Sequence, residues 1–199
     1  MYWYKSFLKY SSVTGVVLLL CFSYACKPEI KETGAQVKFF DLKDYFKNEA
    51  NRLAHLNKDI NKSVAHNGAT ESKKVKITNW LRELNLFTES DINKPAWSRS
   101  YSVDSTATSI TYKAKYPELK TRYITICKEG GKVTAIEIEN DTHNILYSTT
   151  EKLTYMPGAF YLIEKTQKVK VMGGNSYRIK GILISDGLQP TPAFLLKDQ

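Results

Sequence analysis

From Trp97 onward the chain repeats one pattern: strand-like runs rich in Ile, Val, Thr and Tyr, divided by residues that turn a backbone. Turn chemistry falls at Tyr116-Pro117, Gly130-Gly131, Asn140-Asp141 and Gly173-Gly174, so the pattern predicts an antiparallel meander. The clearest alternation sets Ile110, Tyr112 and Ala114 against Thr111, Lys113 and Lys115, giving one buried face and one wet face. Ile124 with Ile126, Ile136 with Ile138, Ile145 with Tyr147, and Val169 with Val171 extend the apolar layer. Tyr177, Ile179 and Leu183 add to it, while Ile182 and Ile184 make the last run apolar on its other face too.

Upstream, Asn67-Gly68 is a strong two-residue hairpin signal, because a type I′ turn needs positive φ at both central positions. It predicts strands over Ile60 to His66 and Ala69 to Ile77. Before it, Leu42, Tyr45, Phe46, Glu49, Ala50, Leu53 and Leu56 recur at three and four, an apolar helical stripe holding a single acid. Asp41 is its N-cap, with Phe40 and Tyr45 in the staple positions. Thr78 caps a second, short helix through Trp80, Leu81, Leu84 and Phe87, and Pro95 closes that region. The segment from Pro157 to Gln167 fits either periodicity and is read as a short helix. The expected architecture is α+β: a curved, half-barrel-like antiparallel sheet of about eight strands, with one long N-terminal helix on its concave side and one or two short helices.

With 199 residues the chain is long enough for one domain with a core of its own. Its formal charge is +9. The first 25 residues hold Lys5, Lys9 and no acid, so 27 cations against 20 acids leave +7 on the remainder. Surface lysines are foremost a solvated face, and no nucleic-acid-binding motif accompanies them. Three cysteines, Cys21, Cys26 and Cys127, exclude both a disulfide framework and a cysteine metal site in one monomer, since only Cys127 lies in the body.

The N-terminus has the three-part layout of an export signal: Lys5 and Lys9, an apolar stretch from Val13 to Phe22, and Ser23-Tyr24-Ala25 leading into Cys26. That stretch falls short of the roughly 20 apolar residues that span a bilayer. The small Ala25 directly before a cysteine resembles the lipobox of bacterial lipoproteins. The resemblance implies cleavage after residue 25 and lipidation of Cys26, with residues 26–38 as a tether and 39–199 as a single domain. In the Gram-negative family an Asp after the lipidated cysteine marks inner-membrane retention; Lys27 stands there, which implies the outer membrane. The body resembles small envelope lipoproteins of Gram-negative bacteria in general pattern.

The sequence holds no GxSxG elbow, P-loop, dinucleotide-binding glycine fingerprint, HExxH, CxxC pair or EF-hand loop. His55, His66 and His143 are dispersed. His143 with Asp141 supplies donor atoms for a metal or a general base, yet reads foremost as a solvated loop pair. Glu137 and Glu139 share one side of a strand, about 7 Å apart by strand rise, and read as a polar sheet face. Cys127 reads as a small buried hydrophobe. Lys58, Lys62, Lys73, Lys74 and Lys76 cluster on the first hairpin, where edge lysines block strand addition. The expectation is therefore a non-enzymatic, lipid-anchored protein without metal or cofactor, binding a lipid or other apolar ligand in a cleft between sheet and helix. The alternatives are an accessory subunit of an envelope complex and, last, a glycan or peptide hydrolase resting on Glu137, Glu139 and His143.

Overall fold

The computed structural model describes residues 38–170 and 173–183. The signal segment, Cys26 and all of the tether but Lys38 lie outside the described residues, as do Val171 and Ile184.

Helix α1 (Leu42–Leu56) starts where the Asp41 side chain accepts the Asp44 N–H at 2.8 Å, meeting a donor the first turn leaves without a helical partner. The Phe40 and Tyr45 rings close over that cap, 5.4 Å apart. The helix ends at Asn57, whose left-handed backbone turns its N–H onto the Leu53 carbonyl. Leu42, Phe46, Ala50 and Leu53 are its buried stripe. Full burial of a side chain such as Phe46 contributes roughly 1.5–3 kcal/mol, so packing rather than propensity holds α1 in place.

Strands β1 (Asp59–His66) and β2 (Ala69–Lys76) form the hairpin around Asn67-Gly68, which carries φ of 49° and 91°. The next helix is capped one residue later than the sequence predicts. Asn79, not Thr78, accepts the Arg82 N–H, at 2.9 Å, because its longer side chain sits directly before the first helical residue. The chain leaves helical geometry at Leu84, splitting the segment into α2 (Trp80–Glu83) and α3 (Asn85–Glu89). A 3-10 turn over Pro95–Trp97 precedes the remaining strands: β3 (Tyr101–Ser105), β4 (Ser109–Ala114), β5 (Thr121–Glu129), β6 (Lys132–His143), β7 (Tyr147–Met156), β8 (Phe160–Val169) and β9 (Gly173–Leu183).

All nine strands join one antiparallel sheet in the order β2-β1-β9-β8-β7-β6-β5-β4-β3. The fold is α+β with the sheet dominant. The meander from β3 to β9 returns to the first hairpin by pairing β9 with β1, from Ile60↔Leu183 to His66↔Tyr177.

Four further expectations are corrected. Pro157–Gln167 is not a helix: Gly158, at φ 74°, makes a tight turn, and Phe160–Val169 pairs residue for residue with β7. Two flanking strands satisfy its backbone groups, which is why an ambiguous period resolves as β and the strand count rises from eight to nine. Asn140-Asp141 is not a turn but part of β6, and the reversal comes at 144–146, where Asn144 Oδ1 accepts the N–H groups of both Leu146 and Tyr147. Gly173 and Gly174 open β9 and pair with Val169 and Lys168. Ile145 does not extend the apolar layer; it stands at that reversal, 81% exposed.

One face of the sheet carries Ile124, Ile126, Ile136, Ile138, Leu153, Tyr155, Tyr161 and Ile163, all buried. Helix α1 covers this face: Phe46 meets the Tyr155 ring edge-on at 5.1 Å and the Phe87 ring of α3 at 4.8 Å. The register also sorts the connections. Those after β1, β4, β6 and β8 lie at one end of the sheet, and those after β3, β5 and β7 at the other. The described chain enters at the first end, where Phe39 packs against Tyr101 and Tyr112, and α1 carries it to the second.

Candidate functional site: a cavity at one end of the sheet

Where α1 finishes, its last apolar residues have no further sheet to cover. A cavity of about 150 Å³ opens there, lined by Arg52, Leu53, Leu56, Lys58, Asp59, Ile60, Trp80, Gly158 and Leu183. Leu53, Ile60, Trp80 and Leu183 are buried and form its apolar lining, while Leu56 is 48% exposed at the mouth. The polar residues around it are engaged. Arg52 holds Glu49 through two guanidinium nitrogens, at 2.7 Å for the closest contact, and Asp59 lies 3.6 Å from Lys74. The space is below the roughly 300–1,000 Å³ of a site for a whole drug-sized ligand, so it suits the end of an apolar chain or one ring.

Two hydrogen-bonded relays fix the wall behind this cavity. The Tyr155 hydroxyl donates to Glu49 Oε2 at 2.6 Å, which explains the lone acid in the stripe of α1. The Tyr161 hydroxyl donates to Glu83 of α2, and Lys62 of β1 ion-pairs with the same carboxylate oxygen. Burial first, and then the neighbouring carboxylate, push both phenols far above the ordinary tyrosine range, so each stays a donor at any physiological pH. Tyr161 fits because Gly181 stands beside its ring: a Cβ there would lie 2.1 Å from a ring carbon.

A third polar cluster lies towards the other end of the same face. Asn140 is 1% exposed and Glu151 4%. Asn140 Nδ2 donates to Ser90 Oγ at 2.8 Å and to Glu151 Oε2 at 3.3 Å, while Lys165 donates to Glu151 Oε1 at 2.9 Å. Burial works against charge on Glu151, but the Lys165 hydrogen bond and the field of Lys120 and Lys165 outweigh it and hold its carboxyl below the usual range. Asn140 Oδ1 is buried without a protein partner, a position that one ordered water would satisfy.

The residues singled out in the sequence do not converge. Glu137, Glu139, Asp141 and His143 project by strand period from the face opposite α1. Asp141 and His143 pair with each other at 2.8 Å near the end of β6. His66 stacks on Tyr177 with centroids 4.4 Å apart, and His55 is exposed on α1. The lysine cluster divides between the faces: Lys62 and Lys73 are cross-strand partners on one, while Lys74 and Lys76 alternate to the other. Cys127 is half-buried, and burial followed by the charge of Glu137 raises its thiol above the ordinary value, keeping it a poor nucleophile. Among the described residues, no cluster of His, Cys, Asp or Glu is arranged to hold a metal, and no helix is long and apolar enough to cross a membrane. Cys26 lies outside the described residues.

Sequence reasoning missed Tyr155, Tyr161, Glu83, Asn140 and Glu151. Glu49, as the single acid in an apolar stripe, was the one signal that a buried donor must face it. Compared with protein-family models, with curated protein sequences and with solved structures, the chain matches none.

Proposed function

We propose that this protein is a non-enzymatic lipoprotein, tethered to the outer membrane through a lipidated Cys26, that takes the apolar end of an acyl-bearing ligand into the cavity between α1, β1, α2 and β9. In this reading the nine-stranded sheet curves around α1 as a half-barrel, and the cavity is the part of its concave side that the helix leaves unfilled. The observation that carries the reading is the cavity itself: an apolar pocket walled by Leu53, Ile60, Trp80 and Leu183, with exposed Leu56 at its mouth. An aliphatic chain entering it gains about 0.8 kcal/mol for each methylene removed from water, and the engaged polar groups around it lose no partner.

The test is titration with a fluorescent polyene fatty acid, read by energy transfer from Trp80. Saturable transfer that is reduced in Trp80→Phe, leaving the share from Trp97, and whose affinity weakens at least about tenfold in Leu56→Asp is expected, since the new carboxylate faces both the chain and its acid head. Absence of saturable binding would remove the ligand reading. Intact mass of membrane-extracted protein, compared with Cys26→Ala, tests the tether separately.

A further inference from the structure

We infer that the reversal between β6 and β7 is a membrane-contacting tip, inserting Ile145 and Leu146 among the headgroups and acyl chains of an anionic bilayer. This rests on the proposed tether to bring the domain to a membrane, but the tip is read from its own geometry.

Ile145 is 81% and Leu146 69% exposed, two consecutive aliphatic side chains that the fold leaves in water. They do not stand out because the turn is loose. Asn144 Oδ1 takes the amides of Leu146 and Tyr147, the Asn144 N–H reaches the Tyr147 carbonyl at 2.9 Å, and the Lys170 N–H holds the Leu146 carbonyl at 3.1 Å. These five backbone groups are bonded inside the protein, which lowers the cost of bringing the turn out of water and into the headgroup region. Tyr147 follows, partly exposed, a ring with a polar tip of the kind enriched at membrane interfaces.

Three further observations select a bilayer over other occupants. Lys168, at the end of β8, and Lys170, just beyond it, flank the tip and complement anionic headgroups. Of the acids at this end, Asp141 is held by His143 and by the Thr150 hydroxyl, and Glu118 is exposed on the connection after β4. The connection after β4 lies at the same end of the sheet, about two strand spacings or 10 Å away, and presents exposed Tyr116 there. Finally, the described chain begins at this end, where Phe39 packs against Tyr101. The proposed tether therefore joins the domain at the end that carries Ile145 and Leu146, opposite the ligand cavity.

The experiment places an environment-sensitive fluorophore at Ile145→Cys in full-length Cys127→Ala protein, reconstituted into phosphatidylethanolamine–phosphatidylglycerol vesicles. The labelled Cys127→Ala protein without the added cysteine serves as baseline, and flotation is measured on the same samples. Blue-shifted emission, quenched by brominated acyl chains, is expected at 145 and not at a Val103→Cys control. Lys168→Glu with Lys170→Glu should cut tip insertion by at least about fivefold, the scale of one basic residue at an anionic surface. Protein that floats with a water-like probe at 145 overturns the tip and leaves a protein partner as its occupant. Protein that does not float overturns the tether and the tip together.

Discussion

Tyr155 of β7 and Tyr161 of β8 face each other directly across the sheet, and each gives its hydroxyl hydrogen to a carboxylate on a different helix, Glu49 on α1 and Glu83 on α2. One cross-strand pair thus sets the position of both helices, and through them the cavity wall that Leu53 and Trp80 provide.

Removing either hydroxyl leaves a half-buried carboxylate short of a partner. Tyr155→Phe and Tyr161→Phe are each expected to cost about 1–3 kcal/mol, read as a lower urea midpoint with an unchanged slope. Arg52 and Lys62 keep Glu49 and Glu83 from being wholly orphaned, so neither variant should unfold. Midpoints equal to wild type would mean that water replaces the phenol without loss.

Gly181 answers a different constraint, the close approach of the Tyr161 ring. Because that ring is fully buried and anchored at its hydroxyl, Gly181→Ala forces strand or ring to move and should cost about 1–3 kcal/mol or more. The loss should shrink when Tyr161→Ala makes room. A double-mutant cycle without coupling would place the strain elsewhere.

Glu151 makes stability depend on acid. Its folded carboxyl lies below the unfolded value of about 4.3, so its contribution is present above that value and fades as pH falls through the folded one. Asp91, raised chiefly by burial, has the opposite sign. Urea midpoints followed from neutral pH downwards should therefore fall more steeply below about pH 4.5 in wild type than in Glu151→Gln. Parallel curves would show that Lys120 and Lys165 do not stabilise the charge.

The buried phenols give an alkaline signature. Burial, offset in part by Arg122, pushes Tyr101 up to about 12, and its hydroxyl donates to the Thr121 carbonyl. Tyr45, Tyr155 and Tyr161 are raised as well, each chiefly by burial. A folded value above the unfolded one of about 10 means stability present below that pH and lost as pH rises through the folded value. Phenolate absorbance should rise first for the exposed tyrosines and later with unfolding, and Tyr101→Phe should remove one equivalent from the later step. A single transition near the free-tyrosine value would contradict the burial.

The local elements were legible because their causes are local. Asp41 caps α1 within one turn of chain, and Asn67-Gly68 has the positive φ its residue types permit. Alternation alone placed Tyr112 and Ala114 inside. Where two periods competed, as at Phe160–Val169, pairing with β7 and β9 decided, and no window of sequence holds that information. Asn140 reads as a turn residue on its own, yet Ser90 and Glu151, 50 and 11 residues away, give its amide buried partners. The cavity is more remote still, since Leu56, Ile60, Gly158 and Leu183 meet only once β9 closes on β1. Sequence determined which segments are helix or strand wherever the governing hydrogen bonds close within a few residues. Tertiary structure decided strand order, burial of polar groups and the cavity, because those depend on contacts between segments whose spacing along the chain carries no record of their meeting.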